Sequence, residues 1–588
     1  MKPRVFLPAV ASGVLLWAAF FPLNLGALGF VALVPWLTLV RAPVSTRRRY
    51  FAAYVGGVAF FALATQWVRV AHPMMYMSWL GLAVVAPLFW LVALAILRRF
   101  DRLGVPPAVA VPVAWVALEY ARMHFPTGFP FLKPLGAYQM IGFGWYFLGY
   151  TQHAFLPLIQ IADLGGVYAV SFVVGSVNGL LAGAAMQVPA VRRLLKWQEE
   201  PTPLAPLPEG RGEQAGVPSC PPLPSGRGAR GVGLLFTLAL LAASVGYGFY
   251  RLDHPAFADG PRVSAIQGNV SQDAKIARDG ELQKQYSKAF ITAFKQSPRP
   301  DLIVWPETCY WEYWYEVTPG VSRDSVPTTY KADVEESDKQ FYCRWETSIL
   351  FGLNGHEWDG QRMWKSNTAL LVGPHLVEPL RYDKMHLVPF GEYVPLEGPL
   401  PFMAWFTPYE KGYSCRPGEK WTRFPLAARD GRNFTFGCLI CYEDSDPYLA
   451  RQYVAAEPVD FFVNISNDGW FDGTEEHEQH LAICRFRAVE ARRSVVRSVN
   501  MGISAVIDPD GRVVALPDPD WSKSKKVEAV VTAAVPIDTR GSLYATLGDW
   551  IPAACWAAAL IALVLTLRRK RSLPSPLAGE GGEALRAG

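Results

Sequence analysis

The chain has 588 residues, 51% hydrophobic and 18% charged, with 20 Trp and a mean hydropathy of +0.14. That is too apolar for a soluble protein of two or three domains, so part of it belongs in lipid. A formal charge of +5, not gathered into one long basic face, gives no ground for a nucleic-acid partner.

Apolar runs at 5–22, 24–40, 51–69, 79–97, 105–121, 165–187, 232–249 and 549–567 each approach the roughly 20 residues that cross a hydrocarbon core. Pro35 interrupts the second, and Pro106, Pro107 and Pro112 fall in the fifth, where a missing N–H and a ring clash disturb a helix. The first run also fits a signal peptide, but no small-x-small cleavage site follows its apolar core. Basic residues cluster before run one (Lys2, Arg4) and after runs two (Arg47, Arg48, Arg49), four (Arg98, Arg99, Arg102), six (Arg192, Arg193, Lys196) and eight (Arg568, Arg569, Lys570, Arg571). With eight crossings all of these fall on one side, which the positive-inside rule makes cytoplasmic. The expected organisation is therefore 1–250 as transmembrane helices one to seven, 251–548 as an extracytoplasmic domain, and 549–571 as the eighth helix with its basic flank. Residues 199–231 and 572–588 are Pro- and Gly-rich with few large apolar residues, and read as a disordered cytoplasmic loop and a disordered tail. Apart from Glu119 the spans hold almost no charge, which speaks against a transport path and so against a transporter or sensor.

Between 251 and 548 the pattern changes to short β-rich runs at 262–269, 301–307, 348–354, 367–374, 434–443, 460–468, 494–500, 504–516 and 527–536. Helix-like stretches at 280–296 and 477–493 lie among them. Continuous apolar strands alternating with amphipathic helices predict a sheet covered by helices. "DPDG" at 508–511 is a turn signal between two strands, so part of the sheet is antiparallel.

The 8 Cys are scattered, with no spacing that suits a structural zinc, and no metal or cofactor is expected. Cys438 and Cys441 read C-x-x-C, but on a strand they point to opposite faces, which favours one packed and one reactive thiol over a redox pair. Three strands end in chemistry-bearing residues: Glu307 in "VWPE", Cys441 in "LICYE", and Asn467 with Asp468 in "ISND". Lys384 lies in a fourth segment, "RYDKMHLVPFGEYVP", with its own acid, Glu392. A thiol is a strong nucleophile only as thiolate, so it needs a base or a positive field. His386 reads as a hydrogen-bonded loop residue; Glu307 could take the thiol proton if burial raises its pKa, and Lys384 could hold an oxyanion. On residue chemistry alone this trio is one arrangement among several.

"WPE", "DKMHLVPFGEYVP", "GCLICYE" and "NISNDGWF" followed by "QH" are, in that order, similar to the motifs of apolipoprotein N-acyltransferases, membrane enzymes of the nitrilase superfamily. The resemblance runs through most of 262–516. It implies an αββα sandwich attached to an eight-helix transmembrane bundle, with Glu307 as general base, Lys384 as electrostatic stabiliser and Cys441 as nucleophile. Glu392 would sit beside them, and Tyr442 and Glu443 would support the loop after the nucleophile. The implied reaction moves a fatty acyl chain from a membrane phospholipid, through a cysteine thioester, to the N-terminal amine of an S-diacylglyceryl apolipoprotein. The partners would be those two lipids and the bilayer, and the protein a monomer spanning the bacterial inner membrane. The rival within the superfamily is a membrane-anchored amidase or nitrilase delivering the acyl group to water, for which one helix would suffice as anchor. The chain departs from the family in having Ile276 where many members carry Trp, and in a long insert at 309–346. Cys309 and Cys343 flank that insert, so a bridge between them, or from either to Cys415, is an expectation outside the cytoplasm. The stretch 397–414 reads equally as a lid dipping into headgroups and as a loop packed on its own domain.

Overall fold

The structure, a computed structural model, describes residues 4–127, 139, 141–196, 227–277, 280–342, 345–397, 400–407 and 413–571. Among them the C-terminal half holds two sheets. The strands are β1 (Phe257–Gln267), β2 (Leu302–Val304), β3 (Trp314–Val317), β4 (Ser348–Trp358), β5 (Met363–Val372), β6 (Leu380–Asp383), β7 (Arg423–Ala427), β8 (Asn433–Ile440), β9 (Phe461–Asn467), β10 (Ser494–Asn500), β11 (Ala505–Ile507), β12 (Val513–Ala515) and β13 (Ala529–Asp538). One sheet has the order β13-β1-β2-β4-β5-β6, with β3 pairing β4, and the other β12-β11-β10-β9-β8-β7.

β1, β2 and β4 run parallel in the first sheet, as do β8, β9 and β10 in the second. β2, β9 and β10 among them are buried at every position, because both of their faces are covered. One core joins the sheets, with Val263, Leu302, Leu350 and Leu371 facing Phe436, Ile440, Val463 and Val495. Ser498 on β10 donates across the gap to Ile266 O and Val304 O at 2.8 and 3.0 Å. The helix Glu281–Phe294 covers the first sheet, burying Tyr286 and Ala293 against Ile266, Ile303 and Ile349. The helices Pro447–Ala455 and Glu476–Ala491 cover the second. Each of the nine predicted runs contains a strand, and the 508–511 turn joins the antiparallel pair β11 and β12.

In the N-terminal half and at the C-terminus, four helices among the described residues are long and apolar enough to cross a membrane: Met75–Leu103, Val167–Ala185, Gly231–Asp253 and Trp550–Arg569. An expected eight-helix bundle is therefore met only in part. Run 24–40 is not one helix but Gly26–Phe30, Val34–Leu37 and Thr38–Val40; Pro35 lacks the N–H that would continue a preceding turn and so sits in the first turn of a new one. Run 5–22 supplies only the 13 residues Phe6–Ala18. Thr46–Ala64 and Pro107–His124 are longer, but the first carries Arg47, Arg48 and Arg49, and the second Glu119, Arg122 and His124, which lowers their apolarity.

Of the loop expected at 199–231, residues 199–226 lie outside the described residues, as does the tail 572–588. Residues 227–231 are helical, the first turn of Arg227–Asp253; an established apolar helix propagates cheaply into neighbouring residues. Cys343 also lies outside the described residues. Cys309 and Cys415 are free thiols, so the bridge between these two is not formed. Cys309 is instead buried beneath the Glu307 loop, its thiol donating to Glu307 O at 3.2 Å.

The helix Glu476–Ala491 joins the halves. All sixteen of its residues are buried, ionisable ones included, because one side packs on the second sheet and the other meets both apolar and polar groups of the N-terminal half. Glu490 Oε1 accepts the Val167 N–H (2.7 Å) at the N-terminus of Val167–Ala185, where an acid satisfies an orphan donor and the helix dipole. Arg485 donates to His153 O at 2.6 Å. Just beyond the helix, Arg492 pairs with Asp163 at 2.7 Å and Asp510 at 2.9 Å.

Candidate active site

Parallel pairing brings the carboxyl ends of β2, β8 and β9 to one edge of the sandwich, where loops of an α/β fold collect reactive groups. Glu307 follows β2, Cys441 follows β8, Asn467 ends β9, and Lys384 follows β6. Glu307 and Lys384 are both buried. Lys384 Nζ is 3.0 Å from Glu307 Oε1 and 2.9 Å from Glu392 Oε2. Asn367, on β5, donates its amide to Glu307 Oε1 and to Glu392 Oε1, each at 2.7 Å, and the Asn467 N–H donates to Glu307 Oε2 at 2.9 Å. Burial would raise the Glu307 pKa, but Lys384, Asn367 and Lys275 outweigh it and hold the carboxyl below its ordinary value. The expectation of a burial-raised Glu307 is thus corrected: the desolvation is present and is the largest single cause, and Lys384 with the other donors and charges together outweighs it.

Cys441 opens the short turn Cys441–Ser445 and is partly exposed. Its φ of 51° lies in the left-handed region, which costs a non-glycine residue about 1–3 kcal/mol and turns the side chain out of the strand's alternation. Cys438, three residues back, is fully buried in the sandwich core. Burial and the Glu307 carboxylate push the Cys441 thiol well above its ordinary pKa, while Lys384 and His480 pull it down. The two shifts run in opposite senses, the thiol held up and the neighbouring carboxyl held down.

Glu443 and Tyr442 tie the Cys441–Ser445 turn to its surroundings. Glu443 is fully buried; it accepts the Ile440 N–H at 2.7 Å on its own turn, and the Met385 and His386 N–H groups at 2.6 and 3.1 Å on the Lys384 loop. Tyr382 adds a hydroxyl at 2.9 Å. Burial still lifts the Glu443 pKa to about 7 against these donors. Tyr442 donates to Gly142 O at 3.0 Å, and Gln139 bridges Met385 O and the Leu387 N–H at 2.7 and 3.1 Å. Segments of the N-terminal half thus hold the catalytic loops from one side. His386 pairs with Asp446 at 2.7 Å, the hydrogen-bonded role expected of it.

Sequence reasoning missed Asn367, which orients two carboxylates at once; its only signal was an Asn at the start of a predicted strand. It also missed a buried polar cluster behind Cys441, described below. Within that cluster Asp468, Glu476 and His477 lie close enough to share one metal ion. His477 Nε2, however, accepts the Gly473 N–H at 2.8 Å, so the ring proton occupies Nδ1, the atom that would have to face the ion.

Residues 12–180 match the family described as the apolipoprotein N-acyltransferase N-terminal domain, and 262–545 that described as carbon-nitrogen hydrolase; the C-terminal half has a nitrilase-like α/β fold. Similar solved structures include a Saccharomyces cerevisiae member of the nitrilase superfamily (19% identity, TM-score 0.31, 54% of this chain and 97% of that one) and a carbon-nitrogen hydrolase from Helicobacter pylori (14% identity, TM-score 0.31, 53% and 96%). Among curated relatives, the apolipoprotein N-acyltransferase of Rhodopirellula baltica is 28% identical over 96% of this chain and 98% of its own. That of Geobacter metallireducens is 32% identical over 96% of both. Matched along nearly its whole length, across helices and sandwich alike, the chain belongs to the apolipoprotein N-acyltransferase family.

Proposed function

We propose that this protein transfers a fatty acyl chain from a membrane phospholipid to the N-terminal α-amine of an S-diacylglyceryl-cysteine on apolipoproteins, in two half-reactions at Cys441. The observation that carries this reading is the grouping of a free thiol on a strained turn with an ionised Glu307 and the Lys384 ammonium, in a chain that matches lipoprotein acyltransferases end to end.

In the first half, Cys441 Sγ attacks the ester carbonyl as its proton passes to Glu307. The thiol is the weaker acid by some margin, so the step depends on Lys384 stabilising the oxyanion as it forms. Collapse breaks the ester C–O bond; the leaving lysophospholipid oxygen takes the proton from Glu307, and a thioester remains. In the second half the acceptor amine attacks the thioester, Glu307 takes the amine proton, the C–S bond breaks, and the thiol is reprotonated. Glu392 and Asn367 keep Lys384 and Glu307 in register throughout.

Both substrates keep their chains in the bilayer, which explains why the catalyst is tied to membrane helices: extracting a chain costs about 0.8 kcal/mol per CH₂. The proposed topology has eight crossings, the domain 251–548 outside the cytoplasm, and the protein acting as a monomer in the inner membrane. The basic clusters support that orientation. Leu400, Phe402 and Trp405, which are 39%, 45% and 78% exposed, support a lid reaching the headgroups. The test is mass spectrometry of the intact protein after incubation with phospholipid. An acyl adduct on Cys441 that hydroxylamine removes and Cys441→Ala lacks is expected; no adduct under verified turnover would falsify the mechanism, and free fatty acid without N-acylated lipoprotein would favour the hydrolase.

A further inference from the structure

Behind the nucleophile turn lies a group of ionisable side chains that the chemistry above does not use. Asp444 comes from the Cys441–Ser445 turn, Asp468 from the turn after β9, Glu476 and His480 from the helix Glu476–Ala491, and Arg497 from β10. All five are buried. His480 Nε2 is 2.8 Å from Asp444 Oδ1, and its Nδ1 is 3.3 Å from both Asp468 Oδ1 and Glu476 Oε1. Arg497 reaches the same two aspartates, at 3.1 Å from Asp444 Oδ2 and 3.0 Å from Asp468 Oδ2. His477 faces Asp468 and Glu476, at 3.7 and 3.6 Å. Asp444 also acts on the Cys484 thiol on the next turn of the helix, raising its pKa, and the Trp145 ring of the N-terminal half lies 5.5 Å from the imidazole centre.

Two aspartates share one guanidinium in a site closed to water, which leaves one negative charge over. Burial and the neighbouring Asp468 raise the Glu476 pKa, which weakens its own claim to a negative charge. An uncompensated buried charge is costly. The ring is hydrogen-bonded to a carboxylate at Nε2 and has two carboxyl oxygens within 3.3 Å of Nδ1, surroundings of acid on both sides that favour the imidazolium form.

We propose that His480 is a positioning residue, held as an imidazolium between Asp444 and Asp468, that clamps the nucleophile turn to the β9 turn and keeps a positive charge behind Cys441. This rests on Cys441 being the nucleophile. The clamp joins the two parts whose spacing the reaction needs: Asp444 is three residues after Cys441, and Asp468 follows Asn467, whose N–H holds Glu307. Burial and Arg497 oppose the charge on His480, and Asp444 and Asp468 overcome them, so its pKa stands well above the ordinary value. In turn His480 pulls the Cys441 thiol pKa down against the larger effect of burial.

Two measurements on the full-length protein in phospholipid vesicles test this. Hydrogen–deuterium exchange at histidine C2, read by peptide mass, follows the titration of each ring in the unaltered protein. His480 is expected to show no midpoint between about pH 5 and pH 9, whereas a midpoint near the ordinary value of about 6.5 overturns the proposal. In H480Q, the pH curve for iodoacetamide alkylation of Cys441 is expected to move up by about one unit, a roughly tenfold slower reaction at fixed pH, with kcat falling more than KM changes. A curve superimposed on that of the unaltered protein overturns the proposal, since a loss of packing alone would not move the thiol's titration. If H480Q does not accumulate, the exchange measurement decides. Absence of an acyl adduct on Cys441 in the unaltered protein would instead sink the nucleophile assignment, a result separate from the His480 titration.

Discussion

Cys441 and Glu307 sit in opposite electrostatic settings although they share a site. The thiol is dominated by burial, whereas at the carboxylate Lys384 with the other donors and charges together outweighs burial. In the absence of substrate, alkylation of Cys441 should therefore keep accelerating with pH beyond about 8.5, where a free cysteine is half ionised; a plateau at neutral pH would mean a resting thiolate. The sign for Glu307 is the reverse. Its folded pKa is depressed, so the stability it contributes is present above its unfolded pKa of about 4.3 and is lost as pH falls through the lower folded value. The acid limb of kcat/KM should accordingly lie below the ordinary carboxylate range. Lys384→Met removes the cation that both Glu307 and Glu392 contact. It should lower kcat by about 10²–10³-fold and destabilise the protein by about 3–5 kcal/mol, because the buried Glu307 and the partly buried Glu392 lose their partner; steady-state kinetics and thermal unfolding read the two effects. The identities of these residues were legible in the sequence because strand ends and ordered motifs mark them. Their protonation states were not, since these depend on distances between residues 77 apart, as for Glu307 and Lys384.

At the scale of elements, the site depends on how closely strands and loops approach. Gly352 on β4 lies under the "WPE" loop, where an added Cβ would come 2.0 Å from Pro306 O and 2.8 Å from Glu307 Cα. Gly352→Ala should displace Glu307, the proposed base, costing about 1–3 kcal/mol of stability and more activity than the stability loss accounts for, as checked by kcat at a temperature where the variant remains folded. Glu443→Gln turns one acceptor into a donor facing backbone N–H groups of two loops. A cost of about 1–3 kcal/mol is expected, with a lower melting temperature and a raised KM as its readouts. The strands that escaped sequence reasoning are β3, β6 and β7, of 4, 4 and 5 residues. β6 and β7 lie at sheet edges and β3 pairs only β4, so "WYEV", "LRYD" and "RFPLA" lack the two-sided apolar run that marks a central strand. The inner strands β9 and β10, buried at every position, were legible for the opposite reason.

For the whole molecule, the contact between halves is buried, and ion pairs lie in it beside apolar side chains such as Ile483, Phe486 and Val489. Arg492, fully buried, bridges Asp163 of the N-terminal half and Asp510 of the sandwich. Arg492→Leu leaves both acids short of a partner and should lower stability by about 3–5 kcal/mol, seen as a lower unfolding temperature in detergent and looser packing of the halves by limited proteolysis. The orientation is open to a direct check. Val377, 93% exposed on the sandwich, should when changed to Cys react with a membrane-impermeant maleimide added outside cells whose inner membrane is intact. Labelling only after lysis would reverse the proposed topology.

By itself the sequence determined which segments are apolar enough for lipid, that the 251–548 segment is α/β, and which residue types stand at the ends of its inner strands. These follow from patterns of neighbouring residues, and a chain carries them whatever its final packing. Only the tertiary structure decided that Asn367 joins two acids, that Glu307 contacts the Lys384 ammonium, that run 24–40 breaks into short helices, and that His480 stands between Asp444 and Asp468. Each of these depends on distances between groups far apart in the chain, and Coulomb and desolvation energies change over a few ångströms that no local pattern encodes.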